Sequence, residues 1–391
     1  MNQFQQIFAM SMISNMAKEL VNDTSVDSIE QAEQAMQTQL KDAIPGYLTD
    51  YGLSGVSVAW GPAVYIAPKD YSSNNNGVTA TASNTMVVFN LAINSVNTYV
   101  VAIAGTKATS VFDVVVEDGQ VVSTVKWAFG SPGGLNPKIS TGTNDGVNIL
   151  LYEMTDPSTG LSISDFFAGD NINVATNSVV VTGHSLGGAL APALALALFG
   201  TAATVNPALL QAANVYATAG PDIGNKDYVQ YFTQSFKATG PGTNPVWQQF
   251  NCKIWNSLDV VPQAWANLGV IKSIYASNGV TTPKYVNCII TRAQVGTALD
   301  DYSPMDPDKK GQFAGTFVQP ADTPGYNCTA ACVTSSDKDD ADLCDFVAEM
   351  LYQHVAAYSL EILQTTPSIP FDVCSVTQQL YNNNICLCAH L

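Results

Sequence analysis

The fold is decided by the stretch VVVTGHSLGGALA, residues 179–191. Its consecutive valines predict a strand buried in a sheet. The Ala- and Leu-rich run that continues to Phe199 predicts a helix buried on most sides. Between the two lies a G-x-S-x-G string, residues 183–187, which at this position is typical of a sharp strand-to-helix turn with a serine at its apex. The stretch therefore predicts a strand–turn–helix unit centred on Ser185.

Such a turn suits a nucleophile. The backbone at Ser185 must be strained, and flanking glycines remove the Cβ atoms that would clash there. The serine Oγ then projects beyond the carboxyl end of the strand, where N–H groups of the next helical turn face any anion that forms. Gly187 and Gly188 each cost the helix about 1 kcal/mol relative to Ala, so close strand–helix packing is needed to offset them. The alternative is a Gly-rich turn in a non-catalytic α/β protein.

A nucleophilic serine needs a base, and the chain has three histidines. The side chain of His184, next to the serine in the turn, should point away from its Oγ. His390 is next to the C-terminus, which usually frays. His354 is therefore the predicted base by elimination, against the alternative of a purely structural histidine.

The acid of the triad should lie between the serine and the histidine in the chain order of α/β-hydrolases. Asp259, in NSLDVVP at 256–262, follows a predicted strand and is favoured. Asp222, in GPDIGN at 220–225, is the rival, but its loop is rich in turn residues and favours a turn-forming role.

Two N–H donors are needed for an oxyanion hole. The residue after the nucleophile, Leu186, should supply one. The second is predicted at Thr106, which follows Gly105 at the end of an early β-branched run.

The remaining pattern alternates strands and helices. Strands are predicted at 56–60, 63–67, 86–92, 99–104, 178–182, 215–219 and 253–256. Helices are predicted within residues 1–50, with a stop at Pro45-Gly46, and at 145–154.

The fold class is therefore α/β, with a mostly parallel central sheet flanked by helices, N-terminal helices and a Cys-rich loop insertion at about 264–345. We expect one domain over 1–391, with a core at about 85–365, an extension at 1–84 and a Cys-containing tail at 366–391.

The net charge of the chain disfavours some classes of binding partner. The chain has 32 acidic and 15 basic residues, a net charge of −17, which disfavours nucleic acid and anionic membranes because their phosphates would be repelled. A neutral lipid–water interface is not excluded. The apolar stretch 179–200 contains polar residues and paired glycines, and would make a poor lipid-facing helix.

All eight cysteines lie in the last part of the chain: Cys252, Cys288, Cys328, Cys332, Cys344, Cys374, Cys386 and Cys388. Their even number and clustering predict disulfides, hence an oxidising compartment and a secreted protein, although the first residues do not have the pattern of a signal peptide. Reduced, buried cysteines are the alternative. The spacings do not fit a zinc module.

Together these motifs resemble the class 3 lipases, the fungal-type triacylglycerol lipase family with an α/β-hydrolase fold. The resemblance spans about residues 85–365 and is carried by VVAIAGT at 100–106, SVFD at 110–113, VVVTGHSLGGALA at 179–191, YATAGPDIGN at 216–225, NSLDVVP at 256–262 and QHVAAY at 353–358.

The resemblance implies a triad of Ser185, Asp259 and His354, an oxyanion donor at Thr106, and hydrolysis of carboxylic esters, typically acylglycerols, without a cofactor or metal. It also implies a lid around 108–119. Ala104 stands where many members have Arg, and ISTGT at 139–143 replaces a common V-H-x-G-F string.

The predicted function is therefore a lipase or esterase that forms an acyl-enzyme on Ser185. The alternatives are phospholipase A1, a feruloyl or other carboxylesterase, or a non-catalytic lipid-binding protein on a hydrolase fold. The oligomeric state stays open.

Overall fold

The computed structural model describes residues 1–17, 19–105, 123–168, 172, 176–201, 207–240, 244–328, 338–365 and 372–378. The strands are β1 (Leu20–Asp23), β2 (Ser57–Tyr65), β3 (Tyr71–Asn74), β4 (Gly77–Ala80), β5 (Asn84–Ile93), β6 (Val96–Ile103), β7 (Thr124–Lys126), β8 (Lys138–Ser140), β9 (Asn177–His184), β10 (Ala213–Thr218), β11 (Cys252–Asn256) and β12 (Gln312–Phe313). The α-helices are α1 (Gln3–Ser14), α2 (Ile29–Asp50), α3 (Thr141–Asn148), α4 (Ile163–Ala168), α5 (Leu186–Phe199), α6 (Lys226–Ser235), α7 (Leu268–Ile271), α8 (Lys284–Thr297) and α9 (Lys338–Leu351).

The central sheet has seven strands in the order β12-β11-β10-β9-β6-β5-β2. Strands β6, β9, β10, β11 and β12 run parallel, whereas β5 and β2 are antiparallel to their neighbours. A tight hairpin joins β5 to β6 through Asn94 and Ser95, both with positive φ. The predicted mostly parallel sheet is confirmed. Two small sheets, β1-β4-β3 and β7-β8, lie outside it.

The runs 56–60 and 63–67, predicted as separate strands, form the single edge strand β2. Gly61 and the cis-bonded Pro62 interrupt its pairing with β5 between Trp60 and Ala63. A segment of the N-terminal extension is thus hydrogen-bonded into the central sheet.

Helices cover both faces of the sheet. On one face α5 is buried from Gly187 to Phe199 and packs with Val101 and Val181 in one apolar cluster. On the other face Ile7 and Phe8 of α1 pack against Val100. Neighbouring strand residues point to opposite faces, so Val100 and Val101 belong to different cores. This explains why the sheet strands are almost continuously apolar.

The first turn of α5 lies directly between the ends of β6 and β10. A Cβ atom on Gly187 would collide with the backbone oxygen of Ile103, and one on Gly188 would collide with that of Thr218. Close backbone packing is therefore the reason that two glycines open this helix.

Helix α2 extends to Asp50, so the predicted stop at Pro45-Gly46 is wrong. Ile44 and Leu48 lie one turn apart and are both buried against the core, while Pro45 is exposed. Burial of the last apolar turn outweighs the one backbone hydrogen bond that proline cannot donate.

The Cys-rich insertion contains helices as well as loops. It includes α7, α8 and the start of α9, and a second apolar cluster joins Trp265, Ile289 and Phe346. Cys328 and Cys344 form a disulfide, and Cys288 and Cys374 are also disulfide-bonded.

The disulfide prediction is thus confirmed for part of the cysteine set. Cys252 is buried with a free thiol, whose pKa burial raises to about 12. This residue matches the alternative expectation of a small buried hydrophobe. Cys332, Cys386 and Cys388 lie outside the described residues.

The apolar stretch 179–200 is divided between β9 and α5. Within the described part of the chain, no helix combines the length and the apolar character needed to cross a bilayer.

Two glycine-to-alanine substitutions test the packing of α5. Because a Cβ at Gly188 meets backbone, we expect Gly188→Ala to lower the free energy of unfolding by about 1–3 kcal/mol. Gly46 lies in α2 with open space around its Cβ position, so Gly46→Ala should raise that free energy by about 0.5–1 kcal/mol. Urea unfolding of both variants measures the difference. Equal changes in the free energy of unfolding of the two variants would contradict the close packing of α5 between β6 and β10.

Candidate active site

Ser185 lies in the predicted sharp turn between β9 and α5. Its φ is +60° and its ψ is −123°, a conformation that side-chain-bearing residues rarely adopt and that persists where the surroundings enforce it. Its N–H donates to the Thr218 carbonyl at 3.0 Å, and its carbonyl accepts from Ala189 N–H at 3.1 Å. The turn is thus held from β10 on one side and by α5 on the other.

His354 and Asp259 complete a continuous hydrogen-bonded chain with Ser185. His354 Nε2 lies 2.8 Å from Ser185 Oγ, and His354 Nδ1 lies 2.9 Å from Asp259 Oδ2. The exposed fractions of the three residues are 5% for the serine, 1% for the histidine and 0% for the aspartate. The structure therefore brings together the three residues that the sequence predicted as a triad.

These residues come from different elements. Ser185 follows β9 and Asp259 lies three residues beyond β11. Because β9 and β11 run parallel within one sheet, their carboxyl ends meet at the same edge. His354 lies in a π-helical turn, Tyr352–Ala356, that continues α9. Single π-helical turns inside α-helices often occur at functional sites.

The Asp259 carboxylate is buried but has three hydrogen-bond donors. Val261 N–H donates to Oδ1 at 3.0 Å, and the Tyr358 hydroxyl donates to Oδ2 at 2.9 Å beside the histidine. The Tyr358 hydroxyl itself accepts from Asn256 N–H at 2.9 Å. A fully partnered carboxylate can remain buried and still face an imidazole.

Tyr358 was not predicted as a site residue. Burial is the main cause, and the negative charge of Asp259 the second cause, of a Tyr358 pKa well above the ordinary value of 10.0. The Tyr358 hydroxyl therefore keeps its proton and remains a donor. The available signal was its place in QHVAAY, four residues after His354, where a helical residue lies on the same face.

His184 faces away from Ser185 Oγ, as predicted. Its Nε2 is 2.8 Å from the His354 backbone oxygen and its Nδ1 is 3.0 Å from Thr218 Oγ1. Burial is the main cause, and the neighbouring His354 the second cause, of a His184 pKa well below 6.5, so the ring is neutral. A carbonyl can only accept, so Nε2 carries the proton and Nδ1 accepts from the threonine hydroxyl.

Asp222, the rival acid, is bonded elsewhere. It forms a buried ion pair with Lys253 and accepts from Met305 N–H at 2.8 Å. Lys253 Nζ also donates to the Pro262 carbonyl at 3.0 Å. This arrangement links β11 to the loop that follows Asp259.

One predicted oxyanion donor can be located. Leu186 is the first residue of α5, and the first N–H groups of a helix have no partner within it. Thr106 lies outside the described residues, as do the expected lid at 108–119 and His390. Gly105, the last described residue before Thr106, lies close to the nucleophile: a Cβ placed on it would be 3.1 Å from Ser185 Cβ.

Another buried carboxylate, that of Glu349, lies five residues before His354. Glu349 Oε1 accepts from Gln353 Nε2 at 2.7 Å and from Val318 N–H at 3.3 Å. Within the described part of the chain, Oε2 has no hydrogen-bond partner. Gln353 Oε1 accepts from Asn256 Nδ2 at 2.6 Å. This network connects the segment that bears the histidine to the strand that precedes Asp259, and the sequence analysis missed it.

The chain is similar to known proteins in sequence and in fold. Residues 100–268 match the family model described as lipase (class 3). The crystal structure of M37 lipase is 23% identical with a TM-score of 0.64, covering 97% of this chain and 98% of that one. A lipase from Rhizopus microsporus var. chinensis is 14% identical (TM-score 0.39, coverage 67% and 68%), and lipase II from Rhizopus niveus is 16% identical (TM-score 0.39, coverage 67% and 74%). No curated protein sequence matches the chain.

The M37 likeness shows a shared fold over nearly the whole chain. The family match covers the segment that contains Ser185 and Asp259. The predicted resemblance to class 3 lipases is confirmed, and the chain is a carboxylic ester hydrolase.

Glu349 makes folding stability depend on pH. Burial raises its pKa from 4.5 to about 7, whereas in the unfolded chain the ordinary value applies. Its contribution to stability is therefore complete below about pH 4.5 and is lost as the pH rises through about 7. Glu349→Gln removes the charge, so the variant should gain stability over the wild type at about pH 8 and lose that gain near pH 4.5.

Urea unfolding at the two pH values tests this expectation. Glu361 is exposed on the same helical segment, and Glu361→Gln is the control, with an expected change within about 0.5 kcal/mol at both values. A Glu349→Gln effect that does not vary with pH would show that folding leaves the pKa of this carboxyl unchanged.

Proposed function

We propose that the chain is a lipase that hydrolyses neutral acylglycerol esters through an acyl-enzyme on Ser185. The observation that carries the proposal is the buried chain of hydrogen bonds from Ser185 Oγ through His354 to Asp259, at 2.8 and 2.9 Å. A serine that touches an imidazole oriented by a carboxylate is the arrangement that activates a hydroxyl for attack.

In the first half-reaction Ser185 Oγ attacks the ester carbonyl carbon while His354 Nε2 takes its proton. The negative charge on the carbonyl oxygen is stabilised by the N–H groups of Leu186 and Thr106. The carbon–oxygen bond to the alcohol then breaks, and His354 returns the proton to the departing oxygen. The acyl group remains on Ser185.

In the second half-reaction His354 removes a proton from water as the water oxygen attacks the acyl carbon. Collapse of the tetrahedral intermediate releases the carboxylic acid, and Ser185 Oγ recovers its proton from the imidazole. Asp259 stabilises the imidazolium in both halves without taking its proton. Tyr358 and Val261 hold the carboxylate in place with their hydrogen bonds.

The family match supports lipid esters as the substrate class. The net charge of −17 favours neutral acylglycerols over phospholipids with anionic headgroups, which would be repelled. We propose an extracellular setting, because Cys288, Cys328, Cys344 and Cys374 are all disulfide-bonded. Intact disulfides in protein alkylated directly from the culture medium would support this; free thiols at these positions would contradict it.

Removal of the nucleophile tests the mechanism. We expect Ser185→Ala to lower kcat on p-nitrophenyl butyrate by about a million-fold, because the covalent step is lost. Ser54 is an exposed loop serine, and Ser54→Ala is the matched control with activity near that of the wild type. Activity retained by Ser185→Ala would refute the acyl-enzyme, and an inactive wild type would favour the non-catalytic lipid-binding alternative.

The two aspartates provide a second comparison. Asp259→Asn should lower kcat by about 10⁴-fold, since the histidine loses its orienting partner. Asp222→Asn disturbs the ion pair with Lys253 and should lower stability, while the activity per folded molecule stays within about tenfold of the wild type. Activities normalised to the folded fraction measure both effects. The reverse order would transfer the triad role to Asp222.

A substrate panel tests the proposed specificity. Tributyrin, triolein, phosphatidylcholine and methyl ferulate represent the competing activities. We expect the highest kcat/KM on an acylglycerol. A preference for phosphatidylcholine would indicate a phospholipase A1, and a preference for methyl ferulate would indicate a feruloyl esterase.

A further inference from the structure

The N-terminal helix α1 makes a polar contact with the active-site edge of the sheet. Asn15, the residue that caps the C-terminus of α1, accepts a hydrogen bond from Gly105 N–H through its Oδ1 at 2.6 Å. Its Nδ2 donates to the Ser11 carbonyl at 2.7 Å. An N–H can only donate and a carbonyl can only accept, so both bonds fix the same orientation of the Asn15 amide.

Gly105 has a specific place in the site. It follows β6 by two residues, and a Cβ built on it would lie 2.6 Å from the His184 carbonyl oxygen and 3.1 Å from Ser185 Cβ. The same Cβ position is 3.4 Å from Asn15 Oδ1. The peptide that ends in Gly105 N–H therefore lies between the nucleophile turn and the side chain of Asn15.

The helix that carries Asn15 is tightly packed against the rest of the protein. Ile7, Phe8 and Met10 of α1 are fully buried, and Phe8 packs edge-on against His184 with ring centroids 6.0 Å apart. At the other end of α1, ten residues before Asn15, Gln5 Nε2 donates to the Ile362 carbonyl at 2.9 Å, a tether separate from the Asn15 contact. A side chain on a packed helix holds its partner more precisely than one on a loop.

We propose that Asn15 is a positioning residue of this site, which holds the Gly105 peptide in place beside the turn that carries Ser185. The inference rests on the proposed function, in which Thr106 is an oxyanion donor. Oxyanion stabilisation depends on donors that are oriented before the charge forms. Asn15 lies outside the segment that matches the family model, whereas Gly105 lies within it, so the proposed contact joins the N-terminal helix to the matched segment.

The test replaces the acceptor and measures kcat and KM separately. Asn15→Leu has a similar size but no acceptor, and should lower kcat by about 10- to 100-fold, less than the 10²–10³ expected for a lost direct donor. KM should stay within about twofold, because the ground-state ester does not require the oriented donor. Asn15→Asp keeps an acceptor of the same shape and should retain more of kcat than Asn15→Leu.

Gln5→Leu is the matched control. It removes a different polar tether of α1, the bond from Gln5 to Ile362, without altering Gly105, and kcat per folded molecule should be unchanged. If Asn15 only anchored the helix, Gln5→Leu and Asn15→Leu would lower activity in proportion to their loss of stability. Asn15→Ala replaces the leucine variant if that variant does not fold.

The outcomes separate the two proposals. An active wild type with an equally active Asn15→Leu or Asn15→Ala variant overturns the role of Asn15 and leaves the triad intact. Equal losses in Asn15→Asp and Asn15→Leu also overturn it, because the acceptor would then be irrelevant. A wild type without activity on any ester overturns the proposed function, and the role of Asn15 with it.

Discussion

The close approach of backbone at the carboxyl end of β9 is the constraint on which the site depends. Ser185 has a positive φ because the first turn of α5 fits between the ends of β6 and β10, and the two glycines after it carry no Cβ that would push these elements apart. Parallel strands then deliver the residues after β6, β9 and β11 to one edge of the sheet. His354 reaches the same edge from a helical segment, and its ring closes the hydrogen-bonded chain.

Local patterns were sufficient to predict the centre of this arrangement. The G-x-S-x-G string between a valine run and an apolar helix identified the turn at Ser185, and the scarcity of histidines left His354 as the base. Asp259 could be preferred over Asp222 because it follows a strand within LDVVP, and the structure bonds it to the histidine. Each of these inferences used information carried within a short segment or a residue count.

The remaining features depend on contacts between distant segments, which no local pattern encodes. The Asn15–Gly105 bond joins positions 90 residues apart, and the Asn256–Gln353 bond joins positions 97 apart. The same reason explains the error at Pro45: the burial of Leu48 against the core keeps α2 helical, and this packing cannot be read from the proline. Nothing in the sequence distinguishes Glu349 from the other acidic residues, because its buried environment is made by Gln353 and by the distant Val318.

In the proposed mechanism Ser185 is the reactive residue, and His354 activates it. The most direct measurement is mass-spectrometric mapping of the site modified by a fluorophosphonate in the folded wild type and in His354→Ala. We expect stoichiometric modification of Ser185 in the wild type, with labelling slowed by several orders of magnitude in the histidine variant. Modification of another residue, or labelling of Ser185 at an undiminished rate without the imidazole, would contradict it.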